Sequence, residues 1–209
     1  MYASVIEGGK SVDETLESQI QFLIEIDKLK TIERRTRIIH GDRLENDAEH
    51  SWHLAMMAFI LHGHSNKEID MLKVIKMLLV HDLVEIDAGD TFAYDTQGNT
   101  DKHERELKAA HRLFGMLPED QAEELLSLWM EFETKETPEA RFASSMDRLQ
   151  PIIHNHQNEG DTWQKYNITS DQVLNRNAEI ANGSATLWKY AQQIVQHSVD
   201  QGILKQSKS

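Results

Sequence analysis

The scarcity of helix breakers constrains this chain more than any other feature. Three prolines and ten glycines are spread over 209 residues, so long stretches contain neither of the residues that most disfavour a helix interior. Leu, Glu, Lys, Gln, Ala and Met recur between them, and runs of β-branched or aromatic residues are rare. Apolar residues return at helical spacing, as in Leu16, Ile20, Leu23 and Ile24. The pattern predicts an all-α fold of about seven helices in one domain. The first opens at a Ser11–Glu14 capping box and runs to about Lys30. The second starts at Asn46 or Asp47 and ends at His62, closed by Gly63. The third opens at a Ser65–Glu68 capping box, carries His81, Asp82 and Glu85 and stops at Gly89. Further helices are expected at about 101–116, 119–133, 138–157 and 170–198, with Pro151 kinking the sixth. Residues 1–10 and 201–209 read as tails on a single domain spanning 11–200, and 89–99 as a loop.

Charge narrows the function. The formal net charge is −13, from 22 basic and 35 acidic residues, and it stays negative with all 11 histidines protonated. Nucleic-acid affinity rests on Lys and Arg neutralising phosphates, so nucleic acid is not expected as a partner. A small phosphorylated substrate needs one or two cations, and the one dense cationic run is Arg34-Arg35-Thr36-Arg37. The chain has no cysteine, which excludes a disulfide framework, a thiolate nucleophile and cysteine-ligated zinc. No signal peptide or membrane span is legible, so a cytoplasmic protein without a membrane partner is expected.

The chemistry concentrates in Met77-Leu78-Leu79-Val80-His81-Asp82-Leu83-Val84-Glu85-Ile86. An imidazole and two carboxyls lie in strongly apolar sequence, where they are costly unless paired, and a divalent cation is one such partner. His81 and Glu85 are four apart and would share a helical face. The bland alternative is a helix end where His81 bonds a carbonyl and Asp82 pairs with an arginine, and for the dipeptide alone that reading is the commoner one. The preceding helix shifts the balance, because His50 and His53 lie on or beside its apolar stripe. Ferritin-like Glu-x-x-His, zinc-peptidase His-Glu-x-x-His, Gly-rich phosphate loops and Gly-x-Ser-x-Gly are all absent from the sequence.

His50, His81-Asp82 and Asp147 together resemble the signature of the HD-domain metal-dependent phosphohydrolases, most closely their 5′-deoxynucleotidase branch. Four segments carry the likeness: Leu29-Lys30-x-Ile32-x-Arg34; Glu45-Asn46-x-x-Glu49-His50-Ser51; His81-Asp82-x-x-Glu85-x-x-x-Gly89-Asp90; and Arg141-Phe142-x-x-x-x-Asp147-Arg148-Leu149. It extends through Leu117-Pro118-Glu119-Asp120 and Leu128-Trp129-x-Glu131-Phe132-Glu133 and covers about residues 15 to 160. The resemblance implies an HD-type helical bundle with its metal-site core at about 30–150. It also implies one divalent ion (Mn, Co, Zn, Fe or Mg) on His50, His81, Asp82 and Asp147. Glu85 would orient or deprotonate the attacking water, Asp90 would stand in the loop near the substrate, and Arg34 would bind phosphate. The family's aromatic and proline after that arginine are missing here, and the run leaves open which of Arg34, Arg35 and Arg37 points inward. The implied activity is removal of the 5′-phosphate from (deoxy)nucleoside monophosphates. Alternatives are another HD-type phosphohydrolase acting on an alarmone, a cyclic dinucleotide or another phosphoester, or a non-catalytic metal-containing binding protein. His53, His103 and His111 are expected to be ordinary helix histidines. Trp163 and Trp188, with Leu174, Ile180 and Leu187, either cover the core or form a homodimer contact.

Overall fold

A computed structural model describes residues 14–90, 92, 94 and 101–207. Ser11, the expected first cap, most of the 89–99 loop and the expected N-terminal tail lie outside the described residues. Helix α1 (Glu14–Ile26) passes through a 3-10 turn at Asp27–Thr31 into a short antiparallel hairpin, β1 (Glu33–Arg37) and β2 (Leu44–Asn46). Glu33 pairs with Asn46 and Arg37 with Leu44, with an irregularity between them.

Helix α2 (Asp47–Leu61) starts where Asn46 caps it: Asn46 Oδ1 accepts from the Glu49 N–H, and Glu49 Oε2 accepts in return from the Asn46 N–H. The next helix, α3 (Met71–Val80), does not begin at the expected Ser65 box. Asp70 caps it, its Oδ1 accepting from the N–H groups of Leu72 and Lys73, and an N-cap carboxylate satisfies two of the first free donors at once. Nor does α3 run on through Glu85. It ends at Val80, and the tight turn 81–84 leads into the four-residue α4 (Glu85–Ala88). There Leu83 N–H bonds Val80 O, Glu85 N–H bonds Asp82 O and Ile86 N–H bonds Leu83 O, each three residues back, which overwinds the chain relative to an α-helix.

Helices α5 (Lys102–Phe114), α6 (Glu119–Thr134) and α7 (Pro138–Gln157) follow. The last is the axis of the molecule, burying Phe142, Met146, Leu149 and Ile152 among many others. It stays one helix through Pro151, which supplies no N–H to the Asp147 carbonyl one turn back. The expected helix at 170–198 is divided into α9 (Ser170–Asn177), α10 (Ile180–Gly183) and α11 (Ala185–Asp200), after the short α8 (Asp161–Lys165). Gly183 explains the division: a Cβ there would lie 2.3 Å from the Arg141 carbonyl oxygen and from Ser145 Oγ, so the chain can press onto α7 there without a side chain. Ser184 then caps α11 through the Leu187 N–H. These breaks raise the helix count above seven without changing the all-α class.

The apolar interior has two parts. One joins α2, α3, α7 and α11 through Leu54, Met77, Phe142, Met146 and Val195. The other gathers Phe22, Val84, Leu113, Phe114 and Trp129 around α5. Trp163, Ile180 and Leu187 are buried, and Leu174 and Trp188 pack against the first part. They therefore cover the core. Within the described part of 201–209, Leu204 is buried and Lys205 is bridged to Thr169, while most of the other side chains are exposed. Among the described residues no helix is long and apolar enough to cross a membrane.

Candidate metal centre

The two interior parts meet where α2, the 81–84 turn and α7 converge, and the polar side chains singled out in the sequence gather there. His50 faces inward from α2 and is fully buried; His81 and Asp82 come from the turn; Asp147 comes from the middle of α7. His50 Nε2 lies 3.1 Å from Asp147 Oδ1 and 3.9 Å from Asp82 Oδ2, and His81 Nε2 lies 3.1 Å from the same Asp82 oxygen. One ligand atom each from His50, His81 and Asp147 falls within 4.8 Å of the others. In a regular helix adjacent residues diverge, and the overwound turn is what lets His81 and Asp82 share a target.

The ring nitrogens are aimed from behind. His81 Nδ1–H donates to the Leu78 carbonyl at 2.9 Å, leaving Nε2 as the lone-pair atom facing the carboxylates. That Nε2 is buried and makes no hydrogen bond despite its closeness to Asp82. Behind His50, Glu45 of β2 places Oε2 3.5 Å from Nδ1. Buried Asp47 Oδ2 and Glu85 Oε2 likewise have no hydrogen-bond partner. Facing lone pairs and carboxylates can be held together by a proton or by a metal cation, so the donor set fits a divalent ion.

Electrostatics agree with that reading. Burial and the Arg34 cation push the His50 imidazolium down, but Asp147, Glu45 and Asp82 outweigh them and hold it at about 9. His81 is raised against burial by Asp82. Asp82 and Asp147 are lowered despite burial, Asp82 chiefly by His81 and Arg34 and Asp147 chiefly by His50. Burial and the charges of Asp82 and Asp47 hold the Glu85 carboxyl well above the usual carboxylate range. Burial and Asp82 likewise raise Asp47 to about 6. Burial raises Asp90 as well, against the pull of Arg34.

The cationic run resolves by strand geometry. Arg34 turns into the site, its Nη1 donating to Asp82 Oδ2 at 2.8 Å and to Asp47 Oδ1 at 3.0 Å. Arg37 turns away toward Asp42 and Asp161, while Arg35 is exposed along the rim of the same pocket. Beside the centre a cleft opens between β1, α7, α8 and α9, with Arg34, Asp82, Glu85, Asp90 and Asp147 at its polar end. Phe92, Tyr94, Ile152 and Trp163 also line it. Gly89, at φ 74 and ψ 149, takes a conformation nearly confined to glycine, and the turn delivers Asp90 to the cleft.

Sequence reasoning singled out seven site residues and missed others. Asp47 and Lys102 stand in or beside this centre with no role foreseen for them. The signal for Asp47 was faint: a buried carboxyl at the first turn of a helix looks like ordinary dipole compensation.

A helical body that gathers two imidazoles and several carboxyls at the polar end of a cleft is the architecture of a metal-dependent hydrolase. The chain belongs to the HD domain family, whose model matches residues 26–188. It is similar to the 5′-deoxynucleotidase HDDC2 of Danio rerio, 32% identical over 146 residues, covering 69% of this chain and 71% of that one. The 5′-deoxynucleotidase HDDC2 of Dictyostelium discoideum is 32% identical over 158 residues, 73% of this chain and 83% of that one. Among solved structures, a predicted metal-dependent phosphohydrolase from Magnetospirillum magnetotacticum MS-1 superposes with a TM-score of 0.87. It is 50% identical, over 91% of this chain and 96% of that one.

Proposed function

We propose that this protein is a metal-dependent phosphomonoesterase that removes the 5′-phosphate of nucleoside monophosphates, deoxynucleotides foremost. The observation that carries the reading is the convergence of both Nε2 atoms with Asp82 and Asp147 at the polar end of a cleft that also holds Arg34, Glu85 and Asp90. His50, His81, Asp82 and Asp147 would hold one divalent ion; two imidazoles and two carboxylates suit Mn, Co, Zn, Fe or Mg. Such an ion supplies Lewis-acid charge at a phosphate oxygen and acidifies water.

The chain's own groups do the rest. Arg34 donates to the non-bridging phosphate oxygens through charge-assisted bonds. Glu85 orients the attacking water and accepts its proton. Neutralising Asp82 removes the largest charge that holds the Glu85 carboxyl up, so a loaded centre and a basic Glu85 go together. Asp90, on the cleft wall, stands near the leaving oxygen. The aromatic and aliphatic wall of Phe92, Tyr94, Ile152 and Trp163 suits a sugar and base, beside the further cations Arg35, Lys102, Arg148 and Arg176 that also line the cleft. The ester bond to phosphorus breaks as water supplies the new P–O bond, the 5′ oxygen leaves with the electron pair and takes up a proton from solvent, and the products are a nucleoside and inorganic phosphate.

A phosphate-release panel of ribo- and deoxynucleoside monophosphates, run with each of the five metals, tests this. Release is expected from monophosphates, greatest with deoxyribose. Folded, metal-loaded protein that releases phosphate from none of them ends the proposal.

A further inference from the structure

Behind His50, on the side away from the cleft, lies a second polar cluster that the proposed reaction does not use. One turn along α2, His53 meets His154 of α7, with His53 Nδ1 3.3 Å from His154 Nε2 and ring centroids 5.3 Å apart. Glu45 of β2 completes the group, and one ligand atom from each of the three lies within 4.8 Å of the others.

Three features set this cluster apart from a satisfied core. First, His154 Nδ1–H donates to the Arg37 carbonyl at 3.1 Å, so Nε2 presents its lone pair to His53. The same device aims His81, whose Nδ1–H is held by Leu78, and an imidazole backed by a carbonyl is the usual outer support of a metal ligand. Second, the Glu45 carboxylate is buried with Oε1 taken by the Gln150 amide at 2.6 Å, while Oε2 makes no hydrogen bond. Among the described residues no Lys or Arg ion-pairs with Glu45; its charged neighbour is His50, at 3.5 Å. That leaves one buried carboxylate oxygen without a hydrogen bond beside the two imidazoles. Third, the nitrogen separation matches an ion better than a short hydrogen bond. Two nitrogens each about 2.0–2.1 Å from a tetrahedral zinc stand about 3.3–3.4 Å apart. Burial also lowers both His53 and His154, favouring the neutral form that ligation requires.

We propose that Glu45, His53 and His154 form a second divalent-cation site, structural in role, for a borderline ion such as zinc or cobalt. Two imidazoles and one carboxylate favour such ions over magnesium or calcium. The three ligands come from β2, α2 and α7, so an ion there ties the hairpin that carries Arg34 to the helices that carry His50 and Asp147. Half-buried His53 leaves one side open for a water as fourth ligand. His53, expected from sequence to be an ordinary helix histidine, becomes a ligand on this reading.

The test is metal stoichiometry on the full chain, stripped and then equilibrated with cobalt. Elemental analysis counts ions, visible absorption reports their coordination, and circular dichroism confirms folding. The parent should hold two ions per chain. His154→Gln and His53→Ala should each hold one and lose one set of cobalt bands. Asp147→Ala should keep one ion, and adding His53→Ala to it should remove that ion. One ion in the parent, two in either single histidine variant, or an ion surviving in the double variant would overturn the proposal.

Discussion

The two clusters on either side of His50 use the same residue types and are built for different ends. The cleft-side centre opens on Arg34, Glu85 and Asp90, carboxyls and cations crowd together there, and several carboxyls are raised or lowered by their neighbours. The rear cluster of Glu45, His53 and His154 faces Gln150, a backbone carbonyl and the back of His50, and none of the three lines the cleft. Ligands alone can hold an ion. A substrate opening and carboxyls shifted in opposite directions are what let an ion-binding group do chemistry. The contrast predicts that damage at the front changes turnover, whereas damage at the rear changes stability.

The largest effect should come from the ligands at the front. Asp82→Ala deletes the oxygen that touches His81, His50 and Arg34. Turnover should drop to background and the front ion should be lost, as read by phosphate release and elemental analysis. Near-parental activity would mean that the cleft-side centre is not the active one. Glu85→Gln should cost less, about 10²–10⁴-fold in kcat, the range for a positioned acid or base. Metal content is read alongside, because Glu85 offers an oxygen within 4.8 Å of Asp47 and Asp82: an unchanged ion count is expected for a group that acts on water, and a lost ion would make Glu85 a ligand instead. Activity equal to the parent would make Glu85 a packing residue.

The front centre was more legible than the fold around it, for a physical reason. Ionisable residues in apolar sequence announce a cost that something must offset, and His50, His81, Asp82 and Glu85 do so, whereas Asp147, among serines and an arginine, was legible only through the family resemblance. The bland reading of His81-Asp82 describes the molecule: His81 bonds a carbonyl and Asp82 pairs with an arginine, and those bonds are what aim the remaining atoms. Helices α2, α5, α6 and α7 were legible because periodicity and caps agree, as at Asn46 and Glu49. The hairpin was not, because Glu33-Arg34-Arg35-Thr36-Arg37 carries one β-branched residue and its strand is fixed by pairing with Leu44–Asn46. The break at Val80 and the division around Gly183 were hidden too, since both are set by what packs against them rather than by local preference. The rear cluster escaped for the same reason: 101 residues separate His154 from His53, Glu45 is farther still, and the sequence shows no spacing rule between them.

Arginine variants sharpen the comparison at intermediate size. Arg34→Ala removes a charge-assisted contact of about 1.5–3 kcal/mol, so kcat/KM should fall by roughly one to two orders of magnitude. Metal content should hold, because taking a cation away from Asp82 does not weaken that carboxylate's attraction for an ion. Arg37→Ala, whose side chain points to Asp42 and Asp161, should stay within a factor of a few. Equal losses from both would mean that the run acts as a diffuse field.

The smallest effect belongs to the rear cluster in metal-free protein, and its sign is fixed. His53 and His154 both sit below their ordinary value of 6.5, chiefly through burial. The folded state therefore binds fewer protons than the unfolded state between the lowered values and 6.5, so stability rises with pH across that window. The contribution is fully present above 6.5 and is lost as pH falls through the folded values. His50 has the opposite sign, because its folded value of about 9 places its loss at alkaline pH. Thermal melts of the metal-free parent and His154→Gln, taken from about pH 7.5 down to pH 5, separate the two. The parent should lose more of its melting temperature than the variant, which has one fewer buried imidazole to protonate. Parallel curves would show that His154 titrates as freely folded as unfolded, and the picture of a buried His154 with its lone pair held ready would have to be given up.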